Sequence, residues 1–142
     1  MASGVYNRFK KNLMCGLVDL DGSGAHVTQV ALFVNTYTFD ADHNVYTEIV
    51  ADEVAAAGNY STGGATLAGS AVTQDDAGDE SEWDATDTTW SSSTITARYA
   101  ILYDDTLVTQ DLIACIDFGS DQSSSSGDFT IQWNAEGIIN IG

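Results

Sequence analysis

Proline is absent from this 142-residue chain and basic residues are nearly so, with four Lys and Arg against 21 Asp and Glu and a formal net charge of −17. Without proline, the loops must turn on Gly, Asp, Asn and Ser, which accept left-handed backbone or bond their own main chain. Three of the bases, Arg8, Lys10 and Lys11, lie close together near the N-terminus. From Asn12 onward Arg98 alone faces all the acids. A surface this negative repels phosphates, so neither nucleic acid nor an anionic membrane is expected as a partner. No apolar run approaches the ~18 residues of a membrane span. The opening MASGVYNRFKKNL lacks the apolar stretch and cleavage site of a secretory signal, so the protein is expected to stay where it is made. Cys15 and Cys115 stand alone, with no CxxC or Cys/His spacing, and neither zinc nor a disulfide is expected.

What is present suffices for one globular domain over residues 1–142. The apolar fraction is 44%, and a chain of this length buries roughly two-thirds of its unfolded surface. The acids are Asp-rich, and Ser, Thr and Gly fill the loops, as in proteins of high-salt organisms; an ordinary acidic protein kept soluble by its charge is the alternative. On the high-salt reading, lowering salt to ~50 mM destabilises the fold through self-repulsion. A melting temperature that stays flat between ~0.1 and 2 M salt would count against it.

Periodicity predicts an amphipathic helix over residues 3–17, with Ser3 as its cap and Tyr6, Phe9, Leu13 and Leu17 as one apolar stripe. Lys10 and Lys11 suit its C-terminal half. Strand and turn signals dominate residues 25–142. Val27–Val34 reads as a short apolar strand, Tyr46–Val54 is ambiguous and has room for a short helix, and Ala65–Gln74 reads as a strand after the Gly63-Gly64 turn. Between Thr94 and Tyr103, Ile95, Ala97, Tyr99, Ile101 and Tyr103 are expected on one face, with Thr94, Thr96 and Arg98 opposite. Leu112, Ala114, Ile116 and Phe118 are expected to share a face, as are Phe129, Ile131 and Trp133. Ile139 and Ile141 close the chain, and the serine run Ser123–Ser126 reads as an exposed hairpin tip. The fold class is mainly β, an antiparallel β-sandwich or jelly-roll-like barrel behind an N-terminal amphipathic helix.

Chemistry is sparse. His26 and His43 are the only imidazoles, and there is no nucleophile elbow, phosphate-binding glycine loop or HExxH. Asp40, Asp42 and His43 suit an Asp-rich turn better than an acid–base cluster. Asp19, Asp21 and Ser23 fall at calcium-loop positions 1, 3 and 5 with Gly24 at 6, but position 12 is Val30 where a bidentate Glu belongs, and a strand comes next. A plain turn is expected there. The run Asp75–Glu80 with Glu82 reads as a solvated loop that attracts cations diffusely. Trp83, Trp90 and Trp133 are expected in the core; a carbohydrate platform would need several exposed rings on one face. No catalytic residue, metal site or cofactor is assigned.

Val5-Tyr6-Asn7-Arg8-Phe9-Lys10 is similar to the opening of a family of small virion structural proteins of tailed phages. Asp40-Ala41-Asp42-His43, Gly63-Gly64-Ala65-Thr66-Leu67 and Thr94-Ile95-Thr96-Ala97-Arg98-Tyr99-Ala100 extend the likeness. So do Tyr103-Asp104-Asp105, Leu112-Ile113-Ala114, Asp117-Phe118-Gly119, the stretch Gly127–Asn134 and Gly137-Ile138. The resemblance covers almost the whole chain in order, and its motifs are structural. It implies a virion component without catalytic residues: a capsid decoration (cement) protein on the head surface, or a tail or head–tail connector subunit. The implied partners are the major capsid protein and identical copies, as a trimer, and the implied location is the virion, with host cytoplasm during assembly. A module binding calcium or host glycans is the alternative outside that class. Arg8, Lys10 and Lys11 are the expected contact with an acidic shell, unless the helix packs on its own sheet and its charges face solvent.

Overall fold

The computed structural model describes residues 3–24 and 26–142. Ala25, where the β region was expected to start, lies outside them. The chain runs β1 (Gly4–Val5), α1 (Asn7–Met14), β2 (Thr28–Phe33), two 3-10 turns (Tyr46–Glu48 and Val50–Asp52), β3 (Ala65–Thr66), β4 (Ala71–Asp75) and β5 (Glu80–Asp84). It continues through β6 (Thr88–Ser93), β7 (Thr96–Asp104), β8 (Asp111–Ser123), β9 (Gly127–Ile131) and β10 (Ile139–Ile141). All pairings are antiparallel, in the orders β1-β8-β7-β2-β3, β10-β5-β4 and β6-β9. The result is a β-sandwich in which the large sheet packs against the two small ones.

The central sheet is buried on both faces, which explains why β2, β7 and β8 read as nearly continuous apolar runs. One face (Val30, Leu32, Ala100, Leu102, Ile113, Ala114) packs with Trp83 of β5, Trp90 of β6, Phe129 and Ile131 of β9, and Phe9 of α1. The other face (Ala31, Phe33, Tyr99, Ile101, Tyr103, Leu112, Cys115) lies with Tyr6, Tyr37, Tyr46 and Ile49. The segment after β2, with its two 3-10 turns, supplies three of those covering residues, so the ambiguous Tyr46–Val54 stretch is a lid over the second cluster.

Two irregularities correct the expected alternation. Ile95 and Ala97 face the first cluster, whereas Tyr99, Ile101 and Tyr103 face the second. The register shifts between Ala97 and Tyr99, whose partners jump from Gln122 to Asp117, so Arg98 opposes a bulge of several residues. A second shift, between Leu102 and Tyr103, leaves Ile113 as the extra residue of β8. Leu112 therefore faces away from Ala114, Ile116 and Phe118. The extra Ile113 reverses the faces of β8 beyond it, and at the larger bulge the ladder is interrupted and the strands twist, so alternation does not carry across Arg98.

The helix is shorter than expected, and Ser3 does not cap it. Gly4 and Val5 pair with Cys115 and Ala114 at the sheet edge, and the Tyr6 amide donates to the Ile113 carbonyl at 3.1 Å. Sheet hydrogen bonds claim residues 4–6 before helical ones can form. Phe9 and Asn12 are the buried residues of α1, while Leu13 and Leu17 of the expected stripe are 40% and 47% exposed. The expected strand Ala65–Gln74 is two strands in different sheets, separated by Gly69 in left-handed backbone (φ 64°). At the preceding turn, Gly64 has φ 81° and a Cβ there would lie 1.9 Å from the Val30 carbonyl oxygen, so no side chain fits. The serine run is no hairpin tip: β8 and β9 belong to different sheets. Ser124 instead exchanges two backbone hydrogen bonds with Ile95.

Candidate functional site

Helix α1 divides the three expected contact residues. The Arg8 Nε donates to Asp111 Oδ2 at 2.7 Å, so this residue pins the helix to β8 rather than facing outward. Asn12 Nδ2 reaches the same oxygen at 2.7 Å, and Thr109 Oγ1 donates to Asp111 Oδ1 at 2.5 Å. Burial by itself would raise the Asp111 carboxyl, but these three donors and the guanidinium charge outweigh it and hold the group below its usual range. Lys10 and Lys11 are exposed, with the Lys10 Nζ donating to Asn7 Oδ1 at 3.1 Å. Arg98 is likewise engaged, its Nε donating to Asp117 Oδ1 at 2.5 Å beside the Tyr99 ring. Both arginines thus brace the fold, and the two lysines are the outward cations.

The imidazoles do not assemble with the other candidates. His26 Nδ1 lies 2.5 Å from buried Asp104 Oδ2 at the end of β7. In the Asp40–His43 turn, Asp40 Oδ1 accepts the Asp42 amide at 3.0 Å and the Asp40 carbonyl accepts the His43 amide at 3.1 Å. Asn7 Nδ2 donates to Asp42 Oδ1 at 2.8 Å, tying the turn to α1. Those aspartates therefore shape backbone.

A part-buried polar network around Glu53 has no signature in the sequence. Glu53 Oε1 accepts the Tyr60 hydroxyl and the Gly63 amide, each at 2.7 Å, and Oε2 accepts the Tyr46 hydroxyl. The Tyr60 oxygen also accepts the Leu32 amide at 2.9 Å. Burial, with Glu53 adding to it, pushes the Tyr46 and Tyr60 phenols far above their ordinary value. Within the second cluster, Tyr6 and Tyr37 share a hydrogen bond of 2.7 Å. Burial pushes the Cys115 thiol up to about 12, an unreactive state, while Cys15 is exposed.

Two acidic segments concentrate carboxylates. In the first, the Asp21 amide donates to Asp19 Oδ1 at 3.0 Å and Ser23 Oγ donates to Asp21. Val30, at loop position 12, is fully buried in β2. That is a self-bonded turn. In the second, β4 and β5 bring carboxylate oxygens of Asp75, Glu80 and Glu82 within 4.8 Å of one another. Partial burial and the neighbouring Glu136, Glu80, Asp75 and Asp84 raise the Glu82 carboxyl. Mutual repulsion of this kind marks concentrated negative charge, but nothing else there points to a ligand.

Two grooves remain. The larger, of about 630 Å³, lies between β8 and β9 and holds Phe118, Phe129 and Trp133 beside Gln122, Asp128 and Gln132. Trp133 is half-buried and held by its own hydrogen bonds, from its amide to Asp87 Oδ1 at 2.9 Å and from Nε1 to the Thr86 carbonyl at 3.1 Å. Trp83 and Trp90 are buried in the core, so three tryptophans do not form one platform. The smaller groove, of about 330 Å³, runs between α1 and the β10-β5-β4 sheet; Phe9, Leu13, Val72, Trp83 and Ile141 line it, with Asp19, Asp21 and Glu82 at its rim. Of the eight large apolar residues exposed among the described residues, Leu13, Val72 and Ile141 line this groove, as at protein interfaces.

No helix among the described residues is long and apolar enough to cross a membrane. Comparison with protein-family models, with curated proteins and with solved structures finds no match to this chain.

Proposed function

We propose that this protein is a virion structural component of a tailed virus, a capsid decoration protein that binds the outer surface of the head and stabilises contacts between capsomers. It works there as identical copies, as a trimer, against the major capsid protein, after assembly in the host cytoplasm. The observation that carries the reading is the exposed apolar groove of Leu13, Val72 and Ile141 against α1, a helix that also carries Met14, Lys10 and Lys11 outward on an otherwise acidic, braced β body. A cement protein needs a rigid unit with a sticky, oriented face, and the sandwich offers both. The ordered resemblance to small virion proteins supports the same class.

Electron microscopy of purified particles tests it. Density for the protein over the shell, in many copies, is the expected result. A single small ring at the neck or tail would assign it to a connector instead, and absence from particles would end the reading. Glu at both Lys10 and Lys11 is expected to reduce occupancy on heads; Arg8 is left intact because it braces the fold. A second reading, glycan recognition on the virion, is favoured by the Trp133 groove, where ring faces and amide side chains line one cleft. A glycan array with Trp133→Ala as the control separates the two.

A further inference from the structure

We infer that the groove between α1 and the β10-β5-β4 sheet is the seat of a second copy of this chain, which inserts the outer stripe of its own α1. The occupant is set by the chemistry of the walls. The floor is apolar (Phe9, Val72, Trp83, Ile141), and the rim carries Asp19, Asp21 and Glu82. A complementary segment therefore presents apolar side chains flanked by cations. In this chain, cations other than the two engaged arginines occur only at Lys10 and Lys11. On α1, helical spacing places Lys10 on one stripe with Met14, which is 82% exposed. The molecule carries both halves of the contact.

The inserting stripe and the receiving groove are different surfaces, so the contact is head-to-tail and each copy uses both once in a closed ring. This assigns the identical-copy partner in the proposed function, taking up Lys10 and leaving Lys11 to the shell, and rests on that reading for its purpose, though not for its test. Charge sets the condition. Copies at −17 each repel one another at low salt, and the repulsion shortens to roughly 3 Å of range at 1 M. Association is expected to strengthen as salt rises.

Sedimentation equilibrium of the isolated protein at about 100 μM, in ~50 mM and ~1 M sodium chloride, tests the inference. The expected result is a mass near the 15.0 kDa monomer at low salt and a multiple of it at high salt. Met14→Glu with Val72→Glu changes one exposed residue on each half, and is expected to weaken association by about 100-fold or more, since it sets charge against apolar surface. Placed on separate copies, each half-mutant still offers one intact surface, so a mixture caps at a short oligomer. A monomer at every salt concentration overturns the inference, and so does an oligomer that the double variant leaves intact. Either result leaves occupancy on particles to judge the proposed function by itself.

Discussion

Replacing Asp111 with alanine is expected to destabilise the fold by about 3–4 kcal/mol, the usual cost of breaking a buried charged network on one side. Asp111 is 3% exposed and accepts from Arg8, Asn12 and Thr109. Without it, Arg8 can turn toward water, because its side chain is already 32% exposed. Asn12 cannot. It is 3% exposed, its Oδ1 already has no partner among the described residues, and its Nδ2 would lose its acceptor. Helix α1 would lose its polar attachment to β8 and keep mainly Phe9. Thermal unfolding should show a fall of roughly 10 °C, and a change under ~2 °C would contradict this account of how the helix is held. The sign with pH comes from the depressed carboxyl. Its contribution is fully present above the ordinary value of 3.8 and is lost as pH falls through the lower folded value. Asp111→Asn should therefore flatten the acid limb of the stability curve.

Glu53→Ala is expected to cost about 3 kcal/mol, through groups left behind rather than a contact removed. The Tyr60 hydroxyl, the Gly63 amide and the Tyr46 hydroxyl would each lose an acceptor. Tyr46 also stacks on Tyr103 at 4.5 Å, and the Tyr103 hydroxyl donates to the Gly63 carbonyl at 2.7 Å. The carboxylate thus joins the lid segment, the Gly63-Gly64 turn and β2. Hydrogen exchange gives the sharper readout: protection at Gly63 and Leu32 should fall by more than at β8. Glu53→Gln keeps one carbonyl oxygen and should cost about 1 kcal/mol. If Glu53→Ala is as stable as the parent, the network does not hold the lid.

The fold class was legible because long apolar runs and glycine-rich turns survive in any antiparallel arrangement. Faces were not. Alternation from Ile95 to Tyr103 reads as one stripe on paper, and the bulge opposite Arg98 that reverses it leaves no local mark. Strand β5 was hidden because Glu80, Glu82 and Asp84 have low strand propensity and Trp83 is its one buried residue. Tertiary packing of Trp83 against the large sheet overrides that preference. Lys10 and Lys11 stood out by their rarity, but the sequence offered no reason to separate Arg8 from them. That separation depends on Asp111, distant in the chain and indistinguishable there from twenty other acids. Val72 and Ile141, which complete the smaller groove, lie in strands whose neighbours only the sheet order reveals.

The bulge between β7 and β8 fixes the length of the chain more tightly than its composition. Ala97 and Tyr99 serve opposite layers of hydrophobic packing, separated by Arg98 alone. Deleting or inserting one residue on that stretch would rotate Tyr99, Ile101 and Tyr103 out of one layer and into the other. The turn at Asp76–Asp79 carries no such phase. Natural variation in chain length should therefore collect in that turn and spare the few positions around Arg98.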